Sequence, residues 1–126
     1  MLAKDLDDLV VYHASHRLSD AVSAMLQRPG VREDWELRKQ LASAAAAIPA
    51  NIAEGFGQQS DRQFARYLFL SRGSASEVRA HLRIAQGRSH LSEQEWTQLD
   101  RECVSICRML SALIRYLRAS DRKERG

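Results

Sequence analysis

Turn-forming and cross-linking residues are scarce in this chain: 126 residues hold two prolines, two cysteines and six glycines, and aromatic residues make up 6%. A turn-rich all-β architecture needs more breakers than that, and no stretch alternates apolar and polar residues with the period of two that a strand requires. Cys103 and Cys107, four apart on an expected helix, have Cβ vectors that run side by side and do not favour a disulfide. They are expected as small buried thiols of a reducing compartment. No apolar run reaches the length of a membrane span. The first residues, Met-Leu-Ala-Lys-Asp-Leu-Asp-Asp, are acidic and have no signal-peptide core, so a cytoplasmic location is expected.

Missing motifs narrow the chemistry. A di-metal carboxylate centre in a helical bundle uses Glu-x-x-His on two helices, and this sequence contains none. Glu77 and His81 make one isolated pair, and His13 and His16 lack an accompanying cysteine or carboxylate cluster, so they are expected as polar surface. His90, in the loop before the last helix, has no evident partner. No glycine-rich loop follows a strand, and no nucleophile motif surrounds the serines. Neither enzymatic activity, nor a metal, nor a cofactor is expected.

The formal net charge is +3, but it is unevenly spread. Of 19 basic and 16 acidic side chains, residues 115–126 hold five and two, which leaves 14 of each sign in the body. The excess positive charge therefore belongs to the end of the chain.

What the sequence has in abundance is helical periodicity. Asp7 or Asp8 can cap a first helix, in which Val11, Ala14, Leu18, Ala21, Val22 and Met25 recur at three- and four-residue intervals. Pro29-Gly30 breaks the chain, and Asp34 is placed to cap a second helix with Leu37, Leu41, Ala44, Ile48 and Ile52 on its inner face. A third helix from Asp61 to about Gly87 carries Phe64, Leu68, Ser71, Ala75, Val78, Leu82 and Ala85 in a heptad-like seam. Ser92 and Glu95 form a capping box for a fourth, with Leu91 able to staple against Trp96. Trp96, Leu99, Cys103, Ile106, Leu110, Leu113 and Leu117 make its seam. These elements predict an all-α fold, an antiparallel up-down four-helix bundle over residues 1–119, with a frayed basic tail over 120–126.

The joint between the second and third helices has the most specified backbone. Pro49 has no N–H and leaves the Ala45 carbonyl without its helical partner, which predicts a kink. Gly55 is expected to supply a left-handed helix end and Gly57 a second tight excursion. Phe56 is placed to fold back over the helix ends, Asn51 to bond backbone groups freed near Pro49, and Ser60 with Gln63 to cap the next helix.

The same residues carry a resemblance. Ile48-Pro49-Ala50-Asn51-Ile52-Ala53-Glu54-Gly55-Phe56-Gly57, followed by Ser60-Asp61 and Phe64, is similar to the signature of the four-helix-bundle proteins encoded in intervening sequences of bacterial 23S ribosomal RNA genes. Accessory proteins of diversity-generating retroelements are similar too. The match extends as hydrophobic pattern from Leu9 to Leu117. It implies a four-helix bundle, a ring-like homopentamer and a nucleic-acid partner. Family members often carry basic residues where Ala42 and Ser43, and Gln58 and Gln59, stand here.

Two surfaces of the third helix bear on function. Phe69, Leu70, Gly73, Ala80 and Ile84 fall roughly opposite the core seam, where a solvated helix is polar. This second apolar stripe predicts self-association. Arg62, Arg66, Arg72, Arg79 and Arg83 on the third helix, with Arg115 and Arg118 on the fourth, are the candidate phosphate contacts, although no aromatic stacking motif is evident beside them. The expected role is a non-enzymatic oligomeric scaffold or accessory that binds RNA, DNA or a nucleoprotein partner and has no membrane role. The alternatives are a protein–protein adaptor whose arginines only solubilise it and, behind that, a metal-dependent bundle enzyme.

Overall fold

The computed structural model describes residues 3–126 and is all-α, with no strand among the described residues. A 3-10 turn (Leu6–Asp8) precedes five helices: α1 (Val10–Leu26), α2 (Pro29–Arg32), α3 (Trp35–Phe56), α4 (Asp61–Gly87) and α5 (Glu93–Arg125). The additional short helix arises at Pro29-Gly30, where Pro29 sits at the first helical position and its fixed φ starts a turn. Neither Asp7 nor Asp8 caps α1. Leu9 occupies that place, and the Asp8 carboxylate instead accepts the Asp5 N–H at 3.0 Å inside the preceding turn.

Cross-helix contacts fix how the long helices run. Ser71 meets Ile48, the Gly55 region meets Tyr67, and Phe56 meets Phe64, so α3 and α4 pack antiparallel. Arg72 meets Ser111, Arg79 meets Asp100 and Arg83 meets Trp96, so α4 and α5 do the same. Helix α1 packs on both α3 and α5, which closes the core.

The inner rows expected for α3 and α4 are buried at every position. On α5 the row shifts: Ile114 is buried where Leu113 was expected, and Trp96 is only half-buried. On α1, Ser15 takes the buried place expected for Ala14, with its hydroxyl donated to the Tyr12 carbonyl at 2.7 Å, while Ala21 faces solvent. Ser71 is the other fully buried polar side chain, and it donates to the Ile48 carbonyl across the α3–α4 contact at 2.8 Å. A hydroxyl at such a seam is tolerated because it is paired.

The joint differs from its expected chemistry at its glycines, while Pro49 does not stop the helix, as expected. Helix α3 passes through Pro49 and ends only after Phe56. No glycine adopts a positive φ, so neither Gly55 nor Gly57 is a left-handed cap. Gly55 is buried within the last turn of α3, where a Cβ would lie 2.7 Å from the Tyr67 Cβ and 2.9 Å from the Phe64 ring. The residue is glycine because α4 passes too close for anything larger. The Asn51 amide donates to the Ala47 carbonyl at 2.9 Å, not to the Ala45 carbonyl opposite Pro49. Phe56 does fold back, edge-on to Phe64 with ring centroids 5.9 Å apart. Ser60 caps α4 by accepting the Gln63 N–H at 3.2 Å.

Polar contacts tie the opposite end. Asp34 precedes α3 but does not cap it; its carboxylate receives Arg88 at 3.0 Å and lies 2.8 Å from His90 Nε2. His90 thus has a partner that the sequence did not reveal. The capping box of Ser92 and Glu95 forms as expected, and Glu95 also receives both terminal nitrogens of Arg28. The segment 120–126, expected to fray, continues α5 as far as Arg125. Arg122, Lys123 and Arg125 in the last turn complement the helix dipole, and Arg125 pairs with Asp121 one turn back at 3.6 Å.

These contacts make two predictions. Gly55→Ala should lower stability by about 1–3 kcal/mol through overpacking. Gly73→Ala, which meets nothing within 4 Å, should raise it by about 0.5–1 kcal/mol through helix propensity, both read from urea unfolding. The second concerns acid. The Arg28 hydrogen bond, then the Ser92 N–H, lower the Glu95 pKa to about 2, and bonding to His90, then Arg88, holds Asp34 below its usual range. Depressed carboxylates stabilise the fold above their unfolded values, near 4, and that contribution disappears as pH falls toward 2. Glu95→Gln should therefore be less stable at neutral pH by about 0.5–1 kcal/mol, as befits a half-exposed pair. The difference from the parent should vanish in unfolding curves near pH 2.

Candidate nucleic-acid interface

Antiparallel packing brings the first turns of α4 beside the last turns of α5, so arginines far apart in sequence meet on one surface. Arg62 and Arg66 come from α4, and Arg118, Arg122 and Arg125 from α5. They line a groove of about 490 Å³ floored by Phe69, Leu70 and Ala65. The lining holds five arginines and one acidic residue, Asp121, which is already engaged by Arg125. Among the described residues, Arg62, Arg66, Arg118 and Arg122 enter no ion pair. Their charge is not cancelled internally.

Helix position adds to this field. Arg62 and Arg66 stand in the first two turns of α4, the positive end of its dipole, where a cation is disfavoured and an anion attracted. Arg122 and Arg125 sit at the negative end of α5, where cations are favoured. One side of the groove is thus basic against its helix's preference and the other basic in accord with it.

Phe69 lines this groove and is 47% exposed. The Arg72 guanidinium lies 4.5 Å from its ring centroid and that of Arg118 lies 5.8 Å away. Arg72 is anchored by donating to Ser111 Oγ at 2.9 Å, so it acts as a backing for the ring. The arrangement interleaves cation and aromatic, the combination that the sequence reading found missing.

The remaining candidate arginines lie elsewhere. Arg79 is held by Asp100 through two hydrogen bonds, at 2.7 and 3.2 Å, which joins α4 to α5. Arg83 bonds Gln86 at 2.6 Å and stands over the Trp96 ring. Arg115 is exposed on α5 but does not line the groove. The structure therefore brings Arg62, Arg66 and Arg118 together with Arg72 at the edge, and does not bring Arg79, Arg83 or Arg115 to them. Sequence reasoning missed Arg122 and Arg125, taken as tail charge, and the place of Phe69 between Arg72 and Arg118. The three- and four-residue steps Arg62–Arg66–Phe69 put these side chains on one face, which was the available signal.

The second apolar stripe is exposed in the protomer. Phe69, Leu70 and Ile84 are among the large apolar side chains most open to solvent, and Gly73 and Ala80 are exposed between them. Gln58 and Gln59, at the other end of the joint, line a separate groove with Phe56, Phe64 and Tyr116 that lacks the arginine cluster. Burial raises the Cys103 thiol to about 12 and lifts Cys107 as well, so both stay protonated and unreactive at neutral pH. No group of three or more His, Cys, Asp and Glu side chains converges on a point among the described residues, and no helix among them is long and apolar enough to cross a membrane.

A family model described as 23S rRNA-intervening sequence protein matches residues 7–112. Among solved structures, the chain is similar to the crystal structure of a protein of unknown function from the S23 ribosomal protein family of Bacteroides thetaiotaomicron. The TM-score is 0.77 at 19% identity, over 83% of this chain and 98% of that one, a likeness of fold alone. No curated protein matches this chain.

Proposed function

The chain belongs to the 23S rRNA-intervening sequence protein family, and from that premise we propose that it is a non-enzymatic scaffold or accessory protein that binds RNA or DNA through the α4–α5 arginine groove. The observation that carries this reading is the convergence of four arginines without internal ion pairs beside one neutralised aspartate. The four cations repel one another, Arg62 and Arg66 also oppose the α4 dipole, and an external polyanion relieves both. In this reading α1, α3, α4 and α5 run alternately up and down as a bundle bent at Pro49, and the protein works in the cytoplasm.

Self-association belongs to the same proposal. The stripe Gly73, Ala80 and Ile84 continues beyond the groove along α4, is apolar except for Glu77, and carries small residues that let a second backbone approach. A closed ring of copies would repeat the arginine groove around its rim and steepen the salt dependence of binding. The adaptor alternative differs in one respect, since it has no use for a groove of unpaired arginines.

Binding is tested by titrating labelled RNA at several salt concentrations. Retention should fall steeply with salt, and Arg66→Gln or Arg122→Gln should each reduce the log–log slope by about 0.7 for a single strand. Absence of binding at low salt would leave the adaptor. Assembly is tested by light scattering. Gly73→Arg adds a bulky side chain where the protomer offers open space, so helix content should persist while the mass drops to that of one chain. An unchanged mass would remove the stripe as an interface.

A further inference from the structure

The groove is shaped for more than charge. We propose that it selects unpaired nucleic-acid strands over duplex, with one base stacked on the Phe69 ring and the adjoining phosphates on Arg62, Arg66 and Arg122; this rests on the binding reading above.

Three observations support the choice. The first is the exposure of the aromatic ring. Phe69 is half-exposed among the groove arginines, with Arg72 over its ring and Arg118 farther off, and a phosphate-only surface has no use for an accessible ring there. A base presents a planar π-face to such a ring only when it is unpaired, because a duplex buries its base faces in the stack. The second is how the two guanidiniums near the ring are held. Arg72 is pinned by Ser111, whereas Arg118 stands farther off and enters no ion pair. A base arriving at the ring can displace Arg118, whose guanidinium is then available to a phosphate. The third is concavity. A cleft of about 490 Å³ walled by side chains from two helices accepts a splayed nucleotide, whereas a duplex would rest on its rim. The aromatic floor and basic walls are a small version of the stacking platform and electrostatic channel that single-strand binders use.

The test compares a labelled oligouridylate with an RNA duplex of equal length, using the full chain. Phe69→Leu keeps an apolar side chain but removes the ring, and should weaken the single strand about tenfold while leaving duplex binding unchanged. Phe69→Trp should preserve affinity, and its added fluorescence should be quenched by the single strand and not by the duplex. Light scattering and circular dichroism on both variants establish that mass and helix content match the parent. If Phe69→Leu binds the single strand as tightly as the parent does, while Arg66→Glu abolishes binding of both forms, stacking is overturned and the basic groove stands. If neither nucleic acid is retained at low salt, the functional reading fails, and the strand preference fails with it.

Discussion

Helix α4 is clamped along its length between α3 and α5, and the molecule's outward chemistry follows from that constraint. On one side the clamp is steric. Gly55 has no side chain, so the Tyr67 and Phe64 region of α4 comes to within about 3 Å of where a Cβ would stand, and the Ser71 hydroxyl closes the same contact through the Ile48 carbonyl. On the other side it is polar, made by Arg72 with Ser111 and Arg79 with Asp100. With two flanks committed, only one strip of α4 remains, and it holds Phe69, Gly73, Ala80 and Ile84. A two-sided clamp also fixes the register. That register decides which α5 arginines arrive beside Arg62 and Arg66.

The same side-chain type consequently does two kinds of work. Arg79 has a carboxylate within reach and contributes to holding helices together, worth about 0.2–1 kcal/mol for a pair of this exposure. Arg62 and Arg66, about four to five turns earlier on the same helix, face the last turns of α5, where basic residues outnumber acidic ones. Nothing intrinsic to arginine separates these roles. The partner helix separates them, because it is acidic near Asp100 and basic from Arg115 onward. The uneven charge visible in the sequence, a neutral body with a basic end, is thereby converted into a local field at one end of the α4–α5 pair.

How far the sequence disclosed this depends on whether a feature is local or tertiary. The buried rows of α3 and α4 were legible residue by residue, because helical period and core burial coincide over long helices. The Ser92–Glu95 capping box was legible for the same reason, since all its atoms lie within one turn. Asp34 was not: its carboxylate had a local use as a cap and a distant one with Arg88 and His90, and the distant pair won. Gly55 shows a different failure. Glycine at a helix end suggests a positive φ, yet here it marks close approach by another helix, which only the packed structure exhibits. The groove was half legible: Arg62, Arg66 and Phe69 share a face by spacing alone. The arrival of Arg118, Arg122 and Arg125 depends on the antiparallel pairing of two helices and on α5 persisting to Arg125.

Phe69 poses the remaining question of design, since it begins the apolar stripe and also floors the groove. Both uses are compatible if the stripe is divided. Residues up to Leu70 lie among arginines, which a second copy could cover only by desolvating several unpaired cations, an expensive burial without partners. Beyond Leu70 the outward strip passes through Gly73 and Ala80 to Ile84, where small residues and the exposed Glu77 replace the arginine cluster. Contact with another copy is therefore cheapest toward the C-terminal half of α4, and it leaves the N-terminal half open. An arrangement of that kind would hold neighbouring grooves at a fixed spacing, so a single strand could engage several of them in succession. Charge, not hydrophobicity, marks the boundary between the two halves of one exposed helix face.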